Sequence, residues 1–192
     1  MKKKINLPNK ITIFRMLVVV VILIMSALPA GTQFGFGAFK HDYKSLSILI
    51  LFILGSFSDF LDGHIARKNN IVTTFGKFMD PIADKLLVNT LFIILSCTGQ
   101  IDHWIIPVIM ISRDIVVDAI RMIVVEQGTV IAASKLGKLK TVTQMLALIL
   151  ILAFPGVHFM VYFAYLAAVA SVVSGVDYFV KNKKVLLSDL RS

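Results

Sequence analysis

The sequence predicts an all-α integral membrane protein with six transmembrane helices and both termini cytoplasmic. Three observations carry that expectation. The first is composition: 57% of the 192 residues are hydrophobic, and the mean hydropathy is +0.85, whereas soluble domains lie at roughly 45–50% apolar. The second is segmentation. Stretches at about 10–30, 45–66, 80–98, 104–126, 138–155 and 157–180 approach the ~20 apolar residues that cross a bilayer. The third is the placement of lysine and arginine between those stretches, which assigns their sides.

In the first stretch, Lys2, Lys3 and Lys4 precede an apolar run closing on Ser26-Ala27-Leu28-Pro29-Ala30-Gly31, the outline of a signal peptide. The run from Ile11 to Leu28 is long for a signal core, and further spans follow, so an uncleaved first helix is expected. Gly31 to Tyr43 is polar and separates helices one and two. Lys68-Asn69-Asn70 leads into a short turn before helix three. Thr98-Gly99-Gln100 and Pro107 bracket the third connection. Gly128 to Lys140 forms a longer loop, and Pro155-Gly156 a tight turn.

Basic residues concentrate on alternate connections. Lys2, Lys3, Lys4, Lys10 and Arg15 flank the start, and Arg67, Lys68, Lys77 and Lys85 the second connection. Lys135, Lys138 and Lys140 lie in the fourth, and Lys181, Lys183, Lys184 and Arg191 at the end. The other side holds only Lys40 and Lys44. Cytoplasmic loops carry such an excess, so both termini are expected in the cytoplasm. No linker, low-complexity tract or repeat divides residues 1–192, which are read as one membrane domain. A single cysteine, Cys97, excludes an intrachain disulfide and a cysteine metal site. The net charge of +9 fits anionic headgroups better than nucleic acid, since no aromatic residues interleave with the basic ones.

Against this apolar background stands one acidic pattern: Asp59-x-x-Asp62-Gly63-x-x-Ala66-Arg67, then Gly76-x-x-x-Asp80-x-x-x-Asp84. Ionisable residues within membrane segments are costly and mark functional sites. Asp59 and Asp62 share one helix face, as do Asp80 and Asp84. A short connection makes the two helices antiparallel neighbours, so the four carboxylates converge. Four anions in a partly desolvated cleft repel, and all-oxygen ligation selects Mg²⁺, Mn²⁺ or Ca²⁺ over zinc. With Arg67 able to fork onto phosphate, these are the parts of metal-assisted phosphoryl transfer. A plainer reading pairs Asp62 with Arg67 and lets Asp80 cap helix three, with Pro81 at its first position.

Helix four holds a second charged set, Arg113, Asp114, Asp118 and Arg121. One reading pairs them within the membrane, Arg113 with Asp114 or Asp118, and Asp118 with Arg121. The other turns Arg113 and Arg121 to the cleft, where with Lys138 and Lys140 they hold the phosphate of an acceptor. Lys135 reads as a solvated loop charge and Asp177 as structural. His41, His64, His103 and His158 show no ligand spacing.

The run from Asp59 to Asp84 resembles the signature of the CDP-alcohol phosphotransferase family at every defining position. Asn6-Leu7-Pro8-Asn9-Lys10-Ile11-Thr12-Ile13-Phe14-Arg15 and Leu136-Gly137-Lys138-Leu139-Lys140-Thr141 resemble its bacterial phosphatidylglycerophosphate-forming branch. Asp114 stands where that branch has glutamate. The resemblance implies six helices, a cytoplasmic site and a homodimer. It implies that Asp59, Asp62, Asp80 and Asp84 hold two Mg²⁺ or Mn²⁺ ions and that Asp84 is the general base. Gly63, Ala66, Arg67 and Gly76, with Asn9, Thr12 and Arg15, would receive the CDP-lipid. Asn9 could instead cap a helix, and Arg15 could instead snorkel to headgroups. The implied reaction joins CDP-diacylglycerol to glycerol 3-phosphate, with Arg113, Arg121, Lys138 and Lys140 on the acceptor phosphate. Rival acceptors are serine, inositol phosphate or a second phosphatidylglycerol. A divalent-cation transporter is the rival from another class; the one-sided acids, the absence of an inverted repeat and Arg67 argue against it.

Overall fold

The computed structural model describes residues 6–29, 33–34, 41–68, 74–126 and 134–189. These form six α-helices: α1 Leu7–Ala27, α2 Tyr43–Lys68, α3 Thr74–Cys97, α4 Ile105–Glu126, α5 Lys135–Ala153 and α6 Val161–Asp189. A single 3₁₀ turn, His158–Met160, leads into α6. The one departure from helix-only architecture among the described residues is a minimal ladder. Strand β1, Gln33–Phe34, pairs antiparallel with β2, His41–Asp42.

The helix ends follow local chemistry. α3 stops at Gly99, whose φ of +73° is cheap only without a Cβ. Gln100 N–H then donates to Leu95 O at 2.9 Å and Gly99 N–H to Ser96 O at 3.3 Å, the paired closure that satisfies a helix's last carbonyls. Ser134 caps α5, its hydroxyl accepting from Gly137 N–H at 2.9 Å. Phe154 N–H donates to Leu150 O at 3.0 Å as α5 gives way to the Pro155-Gly156 turn.

Two boundaries differ from expectation. α5 begins at Lys135, so Lys135, Lys138 and Lys140 stand on its first turns rather than in a Gly128–Lys140 loop. α3 begins at Thr74, so Asp80 is not an N-cap and Pro81 lies inside the helix. Pro81 cannot donate to the carbonyl four residues earlier. Asp80 is instead engaged by another helix, accepting from Thr12 Oγ1 of α1. Asn9 is likewise inside its helix, the third residue of α1, with Asn6 at the cap.

Cross-helix contacts fix an up-and-down arrangement. Thr12 near the start of α1 meets Asp80 near the start of α3. Lys85 of α3 pairs with Asp118 in the second half of α4. Asp114 of α4 meets Lys140 near the start of α5, and Arg113 meets Ser174 at the middle of α6. At the opposite end, Lys44 at the start of α2 donates to the carbonyls of Ser26 and Leu28 at the end of α1, at 2.8 and 2.6 Å. The start of α1 and the end of α6 therefore share one end of the bundle, and the charged residues cluster there.

The main core gathers Ile22, Phe52, Leu87, Leu91, Phe92, Leu95, Leu148 and Leu152. Ala164 and Ala167 of α6 give the small surface that close packing in lipid requires. Leu17, Ile24, Ile53, Val116, Val169 and Val176 point outward, an apolar exterior suited to lipid rather than water. Among the described residues, three spans are long and apolar enough to cross a membrane: Asn9–Ala27, Lys135–Ala153 and His158–Lys183. The apolar part of α2 among the described residues is shorter, Tyr43–Ser58. It stops where the acidic pattern begins, and α3 and α4 carry the other charged groups.

Candidate active site

The acidic pattern occupies the end of α2 and the first half of α3. Asp59, Asp62, Gly63, Ala66 and Arg67 lie on the last turns of α2; their side chains fall outside the described residues. Asp80 and Asp84 are one turn apart on α3, hence on one face. Gly76 is buried one turn before Asp80. No group of three metal-ligating side chains occurs among the described residues, since two of the four acids lie outside them.

The N-terminal trio continues this end of the bundle. Thr12 and Arg15 are fully buried, on the inward stripe that Val18, Val19 and Ile22 extend. Burial removes the headgroup-snorkelling reading of Arg15. The stem of Arg15 lies against Gly55 of α2, where an added Cβ would sit 2.9 Å from Leu87 Cδ2 and 3.9 Å from Arg15 Cγ. That glycine lets α1, α2 and α3 close around the guanidinium.

Beside Asp84 opens a cavity of about 270 Å³ bounded by α3, α4, α5 and α6. Arg113, Arg121, Lys138 and Lys140 all line it with Asp84. Sequence spacing alone could not join α4 to α5, but the structure brings these four cations together. Lys85, Asp114 and Asp118 complete the charged wall, leaving five cations against three carboxylates.

The pairings settle which intrahelical readings hold. Asp114 is nearly buried and accepts from Lys140 Nζ at 2.7 Å and Arg113 Nη1 at 3.1 Å. Arg113 thus pairs with Asp114 and lines the cavity at once. Its Nη2 donates to Ser174 Oγ at 2.6 Å, and its Nε has no partner among the described residues. Asp118 does not pair with Arg121; it pairs with Lys85 of α3. Neither Arg121 nor Lys138 has an ion pair among the described residues. Arg121 and Lys138 therefore remain for an anion. The start of α5, capped by Ser134, lines the same space and adds the positive end of a helix dipole. Lys135 is exposed and off the cavity, and Asp177 makes an i,i+4 pair with Lys181 at 2.8 Å.

Sequence reasoning missed Lys85 as a partner, and Ser134, Gln144, Ser174, Gly175 and Tyr178 as parts of this end. Ser134 had a legible signal, a serine three residues before Gly137 at a helix start. Gln144, Ser174, Gly175 and Tyr178 are neutral residues within apolar helices, and Lys85 carried no signal of its partner across helices.

Comparison with known proteins now bears on this geometry. Residues 5–175 match the family model described as CDP-alcohol phosphatidyltransferase. The chain belongs to the CDP-alcohol phosphatidyltransferase family. A protein of Bacillus subtilis named CDP-diacylglycerol–glycerol-3-phosphate 3-phosphatidyltransferase is 38% identical over 192 residues, 94% of this chain and 97% of its own. One of the same name from Rickettsia typhi is 38% identical over 183 residues, 91% and 95% of the two chains. Another from Haemophilus influenzae is 40% identical over 149 residues, 76% and 74%. The family match spans the acidic pattern and all five cavity cations. A CDP-alcohol phosphatidyltransferase is an enzyme, which removes the transporter reading.

Among the described residues, Asp80 and Asp84 offer carboxylate oxygens from one face of α3, donors that suit Mg²⁺, Mn²⁺ or Ca²⁺ better than zinc. Asp80 is oriented by Thr12, the kind of outer contact that fixes a ligating carboxylate.

Proposed function

We propose that this chain transfers the phosphatidyl group of CDP-diacylglycerol to glycerol 3-phosphate, giving phosphatidylglycerophosphate and CMP. One observation carries the reading: Asp84 and four basic side chains share one small cavity. An acceptor held there by its phosphate presents a hydroxyl toward Asp84. Asp84 takes the hydroxyl proton. The freed oxygen forms a bond to the lipid-side phosphorus, and the bond from that phosphorus to the CMP oxygen breaks. Arg113, Arg121, Lys138 and Lys140 hold the acceptor phosphate. Asn9, Thr12, Arg15, Gly63, Ala66, Arg67 and Gly76 receive the CDP-lipid. Asp59, Asp62, Asp80 and Asp84 would hold two Mg²⁺ or Mn²⁺ ions, which when bound offset charge on the pyrophosphate and leaving group.

The net positive wall disfavours serine, a zwitterion, and suits a phosphorylated alcohol. A volume of about 270 Å³ admits a small phosphorylated alcohol, and the resemblance of the Asn6–Arg15 and Leu136–Thr141 runs to the phosphatidylglycerophosphate-forming branch favours glycerol 3-phosphate over inositol phosphate. The names of the bacterial relatives agree. Incorporation of labelled glycerol 3-phosphate into chloroform-soluble lipid, dependent on CDP-diacylglycerol, tests the reaction. A label that stays in the aqueous phase contradicts it.

Gly175 supports the acceptor pocket from behind. A Cβ there would lie 2.9 Å from Arg113 Cγ, in the middle of the stem rather than at its mobile end. Gly175→Ala should push the guanidinium off Ser174 and raise the apparent KM for glycerol 3-phosphate about tenfold, as loss of one charge-assisted bond would. Steady-state kinetics checks this; an unchanged KM would show that Arg113 is not held by α6.

All six helices span the inner membrane, with both termini and the cavity facing the cytoplasm. Support comes from the shared end of α1 and α6 and from the basic residues gathered there. In a Cys97→Ser background, a membrane-impermeant maleimide added to intact spheroplasts should label Asp102→Cys and spare Lys135→Cys. The reverse pattern would invert the topology. A homodimer is the expected assembly, on the family resemblance alone.

A further inference from the structure

Two polar groups in the cavity wall have no task in the ion pairs or in the transfer step. Gln144 lies one turn beyond Lys140 on α5 and is 2% exposed. It lines the cavity, and its Nε2 has no hydrogen-bond partner among the described residues. Tyr178 of α6 is 4% exposed. It lines the same cavity, and its Oη also lacks a partner among the described residues.

Each such group, closed to bulk water and unpaired, costs about 1–3 kcal/mol, and native folds keep few of them. Packing does not account for the pair. Methionine and phenylalanine would fill the same space without stranding a donor. Nor does anion binding account for them, since the wall already holds five cations. Neutral amide and phenol groups suit a ligand hydroxyl, which both donates and accepts.

We infer that Gln144 and Tyr178 are specificity-determining residues that bind the acceptor hydroxyl which is neither phosphorylated nor attacked. The inference rests on the acceptor proposed above. In a three-carbon diol phosphate, the phosphate occupies one end and the nucleophilic hydroxyl the other. The middle hydroxyl must then enter a cavity of restricted water, where a lost partner is expensive. A rotation about the terminal torsions of Gln144, or about the Tyr178 C–O bond, presents a donor to it. The basic residues thus read the charge of the acceptor, and these two read its middle hydroxyl. A site that hydrogen-bonds a substrate hydroxyl rejects the analogue lacking it, because its own polar groups are then left unpaired.

The test compares glycerol 3-phosphate with 3-hydroxypropyl phosphate, which keeps the phosphate and the nucleophile and lacks the middle hydroxyl. Values of kcat/KM for both are measured on the same preparations of the full chain, Gln144→Met and Tyr178→Phe. The unaltered protein should prefer glycerol 3-phosphate by about tenfold or more, the scale of one or two neutral hydrogen bonds. Each substitution should lower kcat/KM for glycerol 3-phosphate and leave 3-hydroxypropyl phosphate within about twofold, so the preference collapses. The ratio is independent of the folded fraction, because both acceptors share one preparation. An unaltered protein without preference, or variants that lose both acceptors equally, overturns the inference and leaves the reaction intact. An unaltered protein that uses neither of these acceptors but turns over another overturns the reaction and the inference with it.

Discussion

Asp84→Asn should lower kcat for CMP release by about a thousandfold or more, while CDP-diacylglycerol still binds. General-base removal alone costs about 10²- to 10⁴-fold, and Asp84 is also proposed as a metal ligand. The substitution preserves shape, so α3 keeps its packing through Leu87, Leu91 and Leu95. What it removes is negative charge at the edge of the cavity, where the proposal puts the acceptor hydroxyl. The check pairs single-turnover CMP release with a direct measure of CDP-diacylglycerol binding to the same purified variant. A rate within tenfold of the unaltered protein would strip Asp84 of the base role. Loss of binding and rate together would make it chiefly a ligand-holding residue.

Arg113→Ala should raise the apparent KM for glycerol 3-phosphate by about tenfold to a hundredfold with a smaller change in kcat. A hydrogen bond to a charged group contributes about 1.5–3 kcal/mol, and 1.4 kcal/mol is about tenfold. The fold should tolerate the change, because Asp114 keeps Lys140 at 2.7 Å and is not left as a lone buried charge. Asp114→Ala is the contrasting case. It leaves Arg113 and Lys140 close together without their shared carboxylate, and breaking such a buried pair costs about 3–5 kcal/mol. A drop in thermal stability with Asp114→Ala, and a KM effect with Arg113→Ala, would separate scaffold from ligand contact. An unchanged KM in Arg113→Ala would reduce Arg113 to an ion-pair partner of Asp114.

Much of the fold was legible because its signals are local. Gly99 and Pro155-Gly156 end helices for backbone reasons that any context preserves. The acidic pattern was legible because carboxylates are rare in apolar helices. The start of α3 was not. Asp80-Pro81 reads as a cap, yet the helix runs through it from Thr74. The acid's hydrogen bond goes to Thr12, distant in sequence, and tertiary context overrode the local signal. Of the two readings of helix four, the one pairing Asp118 with Arg121 fails for the same reason: Arg121 is near on the same helix, but Lys85 approaches from α3. Length and apolarity alone mark α1, α5 and α6 as spans among the described residues; in α2, α3 and α4 the charged site interrupts the apolar stretch, so their crossing rests on the basic-residue pattern. In the cavity, the cations announced themselves by charge. Gln144 and Tyr178 did not, since a single amide or phenol in an apolar helix has no pattern until the walls are assembled.

The most direct test of the central claim is CMP release by the purified protein in detergent with CDP-diacylglycerol and Mg²⁺. Glycerol 3-phosphate, inositol phosphate and serine are supplied one at a time. The account predicts release with glycerol 3-phosphate alone. Release with serine or inositol phosphate instead would contradict the acceptor assignment, and no release with any acceptor from folded protein would contradict the transfer reaction itself.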